Sequence, residues 1–254
     1  MIQYYAEITN FDHLVGLMRK ELEKRNLWKN TIFMVCSEQG TQLPFAKWTC
    51  YDNGLHTGLV AHWPGLSKPG SVIDELVSTA DITPSLVDEL GGKLKKGAFD
   101  GKSFLNLLKG VEEPIHQYVY GAFTNCRIID NRERIYPIRA IRNKRYSLIY
   151  NPNHKSITSN VTLTQALKMT EDNETKPKEL NPSGSWVAKP KKTKMEQALV
   201  HKLHNREEFE LYDLQKDPFE MNNLAGNPKH KKVQRRLKSD LMAKLKELED
   251  SNPI

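Results

Sequence analysis

The sequence is poor in cysteine and has no long apolar run. Its 254 residues contain three cysteines, Cys36, Cys50 and Cys126, and no C-x-x-C pair. Neither a zinc ribbon nor a disulfide framework is therefore predicted, and we expect buried or partly buried free thiols. No apolar stretch approaches the roughly 20 residues of a membrane-spanning helix, and the first residues lack the pattern of a signal peptide. We expect no membrane partner.

The overall composition is typical of a globular protein, with 38% hydrophobic and 27% charged residues. The formal net charge of +7 comes largely from the second half, where basic clusters occupy residues 189–194 and 229–236. Attraction of a polyanion to these clusters is one interpretation. The other, which we favour, is a solvated helix face with a basic loop. We expect no nucleic-acid partner.

Helix and strand patterns alternate in the first 110 residues. Apolar residues recur every three or four positions between Tyr4 and Leu22, which predicts a helix over about 3–25 with one apolar stripe. The apolar, β-branched run 31–36 predicts a strand buried on both faces in a parallel sheet and covered by that helix. Residues 55–63 predict a second strand. Asp81 is the predicted N-cap of a helix over 82–90. Together these elements indicate an α/β layer.

The pattern changes after residue 110. Aromatic and β-branched stretches at 117–123, 136–141 and 145–150 predict a small antiparallel sheet. Residues 151–194 are polar and weakly periodic, and we expect a long excursion there. Asn227-Pro228 predicts the start of a helix that packs on the sheet. Its apolar seam is Val233, Leu237, Leu241, Leu245 and Leu248. The predicted fold class is therefore α/β: a partial mixed sheet flanked by helices, plus a smaller carboxyl-terminal antiparallel sheet packed on a long helix.

Polar residues follow directly after the first predicted strand. In open α/β sheets, ligands collect beyond the carboxyl ends of the strands. Glu38 and Gln39 stand there, with the hard oxygen donors that Ca²⁺ or Mg²⁺ prefers. Lys47 follows among aromatic residues, where an ammonium can hold an anion in a partly desolvated pocket. Taken singly, Glu38 and Gln39 are better explained as a polar turn, and Lys47 as a surface lysine lying along aromatic rings.

The order of these features resembles the sulfatase family of the alkaline phosphatase superfamily. In that family the stretch reads SD(N/H)G, a variable loop, K-x-T-x-Y-E-G-G, a strand and W-P-G. Here SEQG (37–40), KWTCYDNG (47–54) and WPG (63–65) stand in the same order. The variant is most similar to bacterial enzymes of the heparan N-sulfatase type, or N-sulfoglucosamine sulfohydrolases.

Further stretches resemble the same family. Residues 76–86 (LVSTADITPSL) are similar to its LVSLVDIAPTL segment, residues 101–104 to part of DGKSF, and residues 210–220 (ELYDLQKDPFE) to ELYDLEKDPYE. The resemblance implies that residues 1–110 are the carboxyl-terminal part of the sulfatase α/β catalytic domain. Residues 111–254 are then its carboxyl-terminal subdomain.

The resemblance also implies a site and its cofactors. Sulfatases use a formylglycine, made from the cysteine of a C-x-P-x-R motif, as nucleophile. A divalent cation, usually Ca²⁺, grips the sulfate oxygens. By position, Glu38 and Gln39 match the metal-binding aspartate and its asparagine or histidine neighbour, each lengthened by one methylene. Lys47 matches the lysine that contacts sulfate. No cysteine here precedes x-Pro-x-Arg, so we expect formylglycine only in an amino-terminal part that this sequence does not contain.

The resulting hypothesis is a sulfatase fragment. The full-length enzyme would hydrolyse sulfuric esters or sulfamates of sulfated glycans, and this chain alone would be inactive. One alternative is a non-catalytic polyanion-binding remnant. Another is a phosphatase or phosphodiesterase of the same superfamily, whose metal sites usually include histidines where Gln39 stands. The sequence itself carries no signal for a compartment, and the resemblance to the family implies export to the periplasm or the extracellular space, or to the lysosome in a eukaryote.

Overall fold

The computed structural model describes residues 2–111, 113–129, 132–158, 186–187, 189 and 191–250. The chain forms two compact units. The first contains Met1–Glu38 and Thr57–Gln117, and the second contains Gln39–His56 and Tyr118–Ile254. Within the described ranges, no helix has the length and apolarity needed to cross a bilayer. Most of the predicted excursion at 151–194 lies outside the described residues, and the division at residue 110 stays a prediction.

The elements of the first unit follow the predicted alternation of helix and strand. They are α1 (Ile2–Lys24), β1 (Phe33–Cys36), β2 (Leu59–His62), α3 (Ile82–Glu89) and α4 (Leu105–Leu108). Trp63, Phe104, Leu105 and Leu107 form the buried core of this unit. The α/β class is thereby confirmed.

The sheet of the first unit differs from the prediction. β1 pairs antiparallel with β2, with Phe33 opposite His62 and Cys36 opposite Leu59. Its residues are half-buried to exposed rather than buried on both faces. A strand buried on both faces needs neighbours on each side and layers above and below. Among the described strands, β1 has one neighbour only. The second strand is also shorter than predicted.

Helix α1 forms where the apolar period predicts it, but its stripe is uncovered. None of its described residues is buried, and Phe11 and Met18 are 55% and 59% exposed. The prediction that this helix covers β1 is therefore wrong for the described residues. Arg19 of this helix lies against Trp28, with its guanidinium 5.1 Å from the ring centroid.

The side chain of Asp81 connects the two motif stretches at 76–86 and 101–104. Asp81 stands at the predicted N-cap position of α3, but its side chain makes no capping bond to that helix. The fully buried carboxylate instead accepts from the backbone N of Ser78 (2.6 Å) and of Lys102 (2.7 Å). It also lies 2.9 Å from His116 Nε2. These motif residues therefore hold the first unit together.

The second unit is built on a four-stranded antiparallel sheet in the order β3-β4-β5-β6. The strands are β3 (Val119–Ile129), β4 (Arg132–Arg142), β5 (Tyr146–Tyr150) and β6 (Phe209–Asp213). The described residues of this unit also form α2 (Asp52–Leu55), α5 (Lys194–His204) and α6 (Lys231–Glu247). The predicted antiparallel sheet is confirmed, with β6 as an additional strand.

Both faces of this sheet are apolar, because successive side chains of a strand point to opposite sides. On one face, Leu237 and Leu241 of α6 pack against Ile141, Leu148 and Leu211. The predicted packing of the long helix on the sheet is therefore confirmed. Leu248, which the seam pattern includes, follows the end of α6 and is 53% exposed.

The opposite face of the sheet is covered by residues 39–56. Cys50 and Tyr51 from this stretch pack with Ile138, Ile149 and Tyr212 of the sheet. The sequence pattern did not predict this second layer. It brings the KWTCYDNG motif onto the carboxyl-terminal sheet.

Candidate functional site

Residues 39–56, here called the Lys47 segment, form a compact loop closed by the two glycines of its motifs. Gly40 N donates to Gly54 O at 3.0 Å. A Cβ on Gly40 would lie 1.9 Å from Asn53 O, and one on Gly54 would lie 2.5 Å from Ala46 O. No side chain fits at either position, because the backbone strands of the loop touch there. The motif glycines thus serve to close the loop.

Lys47 lies in the middle of this loop and is half-buried. Its backbone N donates to Thr41 O at 3.0 Å, and its ammonium nitrogen lies 5.4 Å from the centroid of the Trp48 ring. Cation–π attraction of this kind restricts where the ammonium can go. The loop therefore presents one positive charge from a defined backbone position.

The backbone on either side of Lys47 is strained. Phe45 and Trp48 have φ angles of 61° and 66°, in the left-handed region that bulky residues rarely adopt. Such conformations cost on the order of 1–3 kcal/mol each and persist only where surrounding contacts impose them. The Lys47 segment is thus held in its shape by other parts of the second unit.

Tyr51 is the main anchor of the segment. The side chain is 2% exposed, and its hydroxyl donates to Glu210 Oε2 at 2.8 Å. The preceding residue, Cys50, is buried, and burial raises the pKa of its thiol to about 12. Cys50 is therefore a buried free thiol, as predicted, whereas Cys36 is exposed and the prediction of burial is wrong for it. The side chain of Cys126 lies outside the described residues.

Glu210 lies at the centre of a buried polar network. Its carboxylate accepts from Tyr212 Oη (2.6 Å), Asn151 Nδ2 (2.8 Å) and Arg206 Nε (2.7 Å), in addition to Tyr51. The Arg206 and Glu210 side chains are only 1% and 3% exposed. Burial acts to raise the pKa of Glu210, but the Arg206 charge and the two tyrosine hydroxyls outweigh it, and the pKa falls below its ordinary value. Glu210 is thus a stable buried anion.

A second carboxylate, Glu220, holds the residue that follows Tyr51. Its Oε2 accepts from the backbone N of Asp52 at 2.5 Å. Burial raises the pKa of Glu220 to about 7. The Asp52 carboxylate forms an ion pair with Arg142 of β4. Lys202 donates to the backbone carbonyl of Glu220.

The Lys202 ammonium packs among aromatic rings. It lies 4.8 Å from the centroid of Tyr212, 5.1 Å from that of Tyr51 and 5.7 Å from that of Phe45. Burial lowers the pKa of this lysine. The ammonium therefore offsets nearby carboxylate charge within a desolvated environment.

The three predicted site residues, Glu38, Gln39 and Lys47, are divided between the two units. Glu38 is exposed and ends the first stretch of the first unit, two residues after β1. Gln39 and Lys47 are half-buried in the second unit. Ser37, which precedes Glu38, accepts a hydrogen bond at its Oγ from Gly58 N at 2.8 Å, within the first unit. The assignment of these residues to one site stays a prediction.

The donor chemistry of Glu38 and Gln39 suits part of a calcium shell. Ca²⁺ takes six to eight oxygen ligands, and these neighbours offer a carboxylate and an amide oxygen. Elsewhere in the described part of the chain, no group of three or more His, Cys, Asp or Glu side chains is arranged to hold a metal ion. The pair would therefore supply only a portion of the ligands.

Sequence analysis missed the anchoring residues Tyr51, Arg206, Glu210 and Glu220 as a group. Three of them stand inside the motif strings, yet Tyr51 and Glu210 are 159 positions apart. One sequence carries no signal for that pairing. Helix α5, which carries Lys202, did have a signal: Thr193 and Glu196 form a capping box.

Comparisons with known proteins identify the family. The sulfatase profile matches residues 1–92, and the profile of the N-sulphoglucosamine sulphohydrolase carboxyl-terminal region matches residues 187–247. An ulvan-active sulfatase of Formosa agariphila is 35% identical over 221 residues, 87% of this chain and 38% of the relative. The human N-sulphoglucosamine sulphohydrolase is 25% identical over 251 residues, 93% of this chain and 46% of that enzyme.

Solved structures share the fold. A protein in complex with its substrate D-glucosamine-2-N,6-O-disulfate gives a TM-score of 0.58 at 19% identity, covering 94% of this chain and 38% of that one. The phosphonate monoester hydrolase of Agrobacterium radiobacter gives 0.61 at 19% identity, covering 94% and 40%. The chain spans 37–46% of the length of the first curated relatives that it matches. It belongs to the sulfatase family.

Proposed function

We propose that this chain contributes the sulfate-binding lysine and part of the metal shell to a sulfatase acting on sulfated saccharides. The carrying observation is the Lys47 segment, in which a strained, anchored loop presents a lysine whose place in the sequence matches the sulfate-contacting lysine of the family. A lysine on an anchored backbone loses less freedom on binding an anion than one on a mobile loop, so it binds the anion more tightly. The role of Lys47 is electrostatic: it stabilises negative charge on the sulfuryl oxygens.

Glu38 and Gln39 are the proposed protein ligands of a divalent cation, and Ca²⁺ is the proposed ion. When bound, the cation supplies positive charge that polarises the sulfuryl group. The chain's own contribution is two adjacent oxygen donors directly after β1. Each side chain is one methylene longer than its family counterpart. Because both are longer by the same amount, both oxygens would reach one cation from a backbone that lies slightly further away.

The nucleophile is the part of the chemistry that these residues do not supply. The sequence contains no C-x-P-x-R motif from which formylglycine is made. We therefore propose that the 254 residues alone do not hydrolyse sulfate esters. Activity would depend on an amino-terminal sulfatase part that carries the motif.

Sulfated saccharides are the proposed substrate class because of the relatives' activities. The Formosa agariphila relative is ulvan-active, and the human relative is an N-sulphoglucosamine sulphohydrolase. The likeness to a phosphonate monoester hydrolase shows the fold alone. A phosphatase or phosphodiesterase activity is thus an outcome that the test must be able to detect.

A chimera tests the proposal. The portion of the Formosa agariphila enzyme that aligns with this chain is replaced by the 254 residues, and the protein is produced in a host that converts the motif cysteine to formylglycine. We expect the chimera to hydrolyse p-nitrophenyl sulfate and the isolated chain to show no turnover. Preference for p-nitrophenyl phosphate, or turnover by the isolated chain, would refute the proposal. A folded but inactive chimera that binds heparin would favour the polyanion-binding alternative, for which the exposed Lys231 and Arg235 of α6 provide a surface.

A further inference from the structure

We infer that Glu210 and Glu220 are positioning residues that hold the Lys47 segment on the sheet and so fix the place of the Lys47 ammonium. The inference rests on the proposed function of Lys47. Neither carboxylate is taken to touch substrate. Both stand in the ELYDLQKDPFE stretch, more than 160 positions after Lys47.

The two carboxylates grip consecutive residues of the segment. Glu210 accepts from the Tyr51 hydroxyl and Glu220 from the Asp52 backbone N. A side-chain bond and a backbone bond at neighbouring positions fix both the place and the direction of the chain there. Rotation about a single anchor is thereby prevented.

Hydrogen bonds and a ring contact connect Tyr51 to the residues that flank Lys47. Tyr51 N donates to Thr49 Oγ1 at 3.4 Å, and the same hydroxyl donates to Ala46 O at 2.7 Å. The Tyr51 ring also packs edge-on against Phe45, with 5.6 Å between centroids. Thr49 therefore links the residues on both sides of Lys47. The left-handed backbone at Phe45 needs this kind of support, because nothing intrinsic to phenylalanine favours it.

The buried polar network around Glu210 is better suited to positioning the Lys47 segment than to raising the stability of the fold. Buried ion pairs such as Arg206–Glu210 contribute little net stability compared with apolar residues of the same volume, because desolvation offsets the Coulomb attraction. A fully hydrogen-bonded buried network does, however, define one arrangement of the groups around it. The Lys47 segment already buries Cys50 and Tyr51. The added polar network fixes its register on the sheet.

Hydrogen exchange on the 254-residue chain tests the anchoring half of the inference. Tyr51→Phe removes one hydroxyl bond and keeps the ring, and Glu220→Ala removes the acceptor for Asp52 N. We expect each to raise the exchange rates of the Lys47 and Gly54 amides at least about ten-fold, while the amides of β5 stay protected. Glu220→Gln keeps an acceptor oxygen and should restore most of the protection.

Tyr136→Phe is the matched control. Tyr136 is a buried tyrosine of the same cluster, and its hydroxyl is not among the donors to Glu210 in the described part of the chain. We expect it to leave exchange in the Lys47 segment within two-fold of wild type. Unchanged exchange in both Tyr51→Phe and Glu220→Ala would overturn the inference. Equal loss of protection in β5 would also overturn it, because the network would then support the whole unit.

Kinetics of the chimera test the functional half. We expect Tyr51→Phe and Glu220→Ala to lower kcat/KM for p-nitrophenyl sulfate about ten-fold, and Glu220→Gln and Tyr136→Phe to lower it less than three-fold. An active chimera that is insensitive to all four substitutions would contradict the positioning role. An inactive wild-type chimera would instead contradict the proposed function, so the two failures are distinguishable.

Discussion

Glu220 connects the stability of the second unit to pH. Its carboxyl is 2% exposed and has a pKa raised by burial to about 7, against 4.5 for the unperturbed group. Below pH 4.5 the carboxyl is protonated in both the folded and the unfolded chain. Between these values the folded state holds a proton that the unfolded state has released. The stabilising contribution is therefore complete below pH 4.5 and is lost as the pH rises through about 7.

Glu220→Gln should remove this pH dependence. The amide stays neutral at every pH and keeps an oxygen for Asp52 N. We expect wild type and variant to have similar free energies of unfolding at pH 5, and the variant to be more stable at pH 8 by on the order of 3 kcal/mol at most. Urea denaturation at the two pH values measures this. The carboxylates of Asp52 and Glu210 are present in both proteins, so their titration cancels in the comparison. A difference in the free energy of unfolding that is the same at pH 5 and pH 8 would contradict the raised pKa of Glu220.

At the scale of residues, motif positions single out the chemical groups but not the contacts that hold them. Lys47 is recognisable from its K-x-T-x-Y string, and the glycines of the same motifs from their spacing. Glu210, whose carboxylate binds the Tyr51 hydroxyl, is not recognisable as its partner, because the two residues are separated by more than half of the chain. A buried glutamate also contradicts the usual expectation that charged residues are exposed. The charged form of Glu210 is stabilised by Arg206, and no motif in the sequence singles out that arginine.

Helix α6 illustrates how one element depends on its buried seam. Leu237 is 1% exposed and packs on β4, β5 and β6 through Ile141, Leu148 and Leu211. We expect Leu237→Ala to lower the free energy of unfolding by roughly 2–5 kcal/mol, through lost burial and the cavity left behind. Leu248→Ala, in the same predicted seam but exposed, should cost less than about 0.5 kcal/mol. Chemical denaturation of both variants makes the comparison, and equal losses would show that the helix packs differently.

The elements themselves were largely predictable, because their signals are local. The apolar period gave α1 and α6 within a few residues, and the aromatic runs gave β4 and β5. Pairing and burial were not predictable from the same patterns. The run 31–36 looks like a central parallel strand, yet β1 has one described neighbour, which is antiparallel. The aromatic and β-branched run 145–150 predicted β5 as a strand, but not that residues 39–56 cover one of its faces.

At the scale of the whole molecule, the proposed metal ligands Glu38 and Gln39 and the proposed sulfate-binding Lys47 stand in a chain whose 254 residues contain no C-x-P-x-R motif. The first unit leaves the α1 stripe uncovered, and Val60 of β2 is 71% exposed. The second unit has both faces of its sheet covered. The sequence predicted the family and the fold class, since these depend on motif order and periodicity.

The effect of removing the Lys47 charge tests the central claim most directly. In the active chimera, kcat/KM for p-nitrophenyl sulfate is compared between Lys47→Ala and Lys155→Ala, a control at an exposed lysine of the same unit. Loss of a preorganised charge at the reacting group should lower kcat/KM roughly 10²–10³-fold, while the control should retain wild-type activity. A Lys47→Ala chimera within about three-fold of the Lys155→Ala chimera would contradict the account.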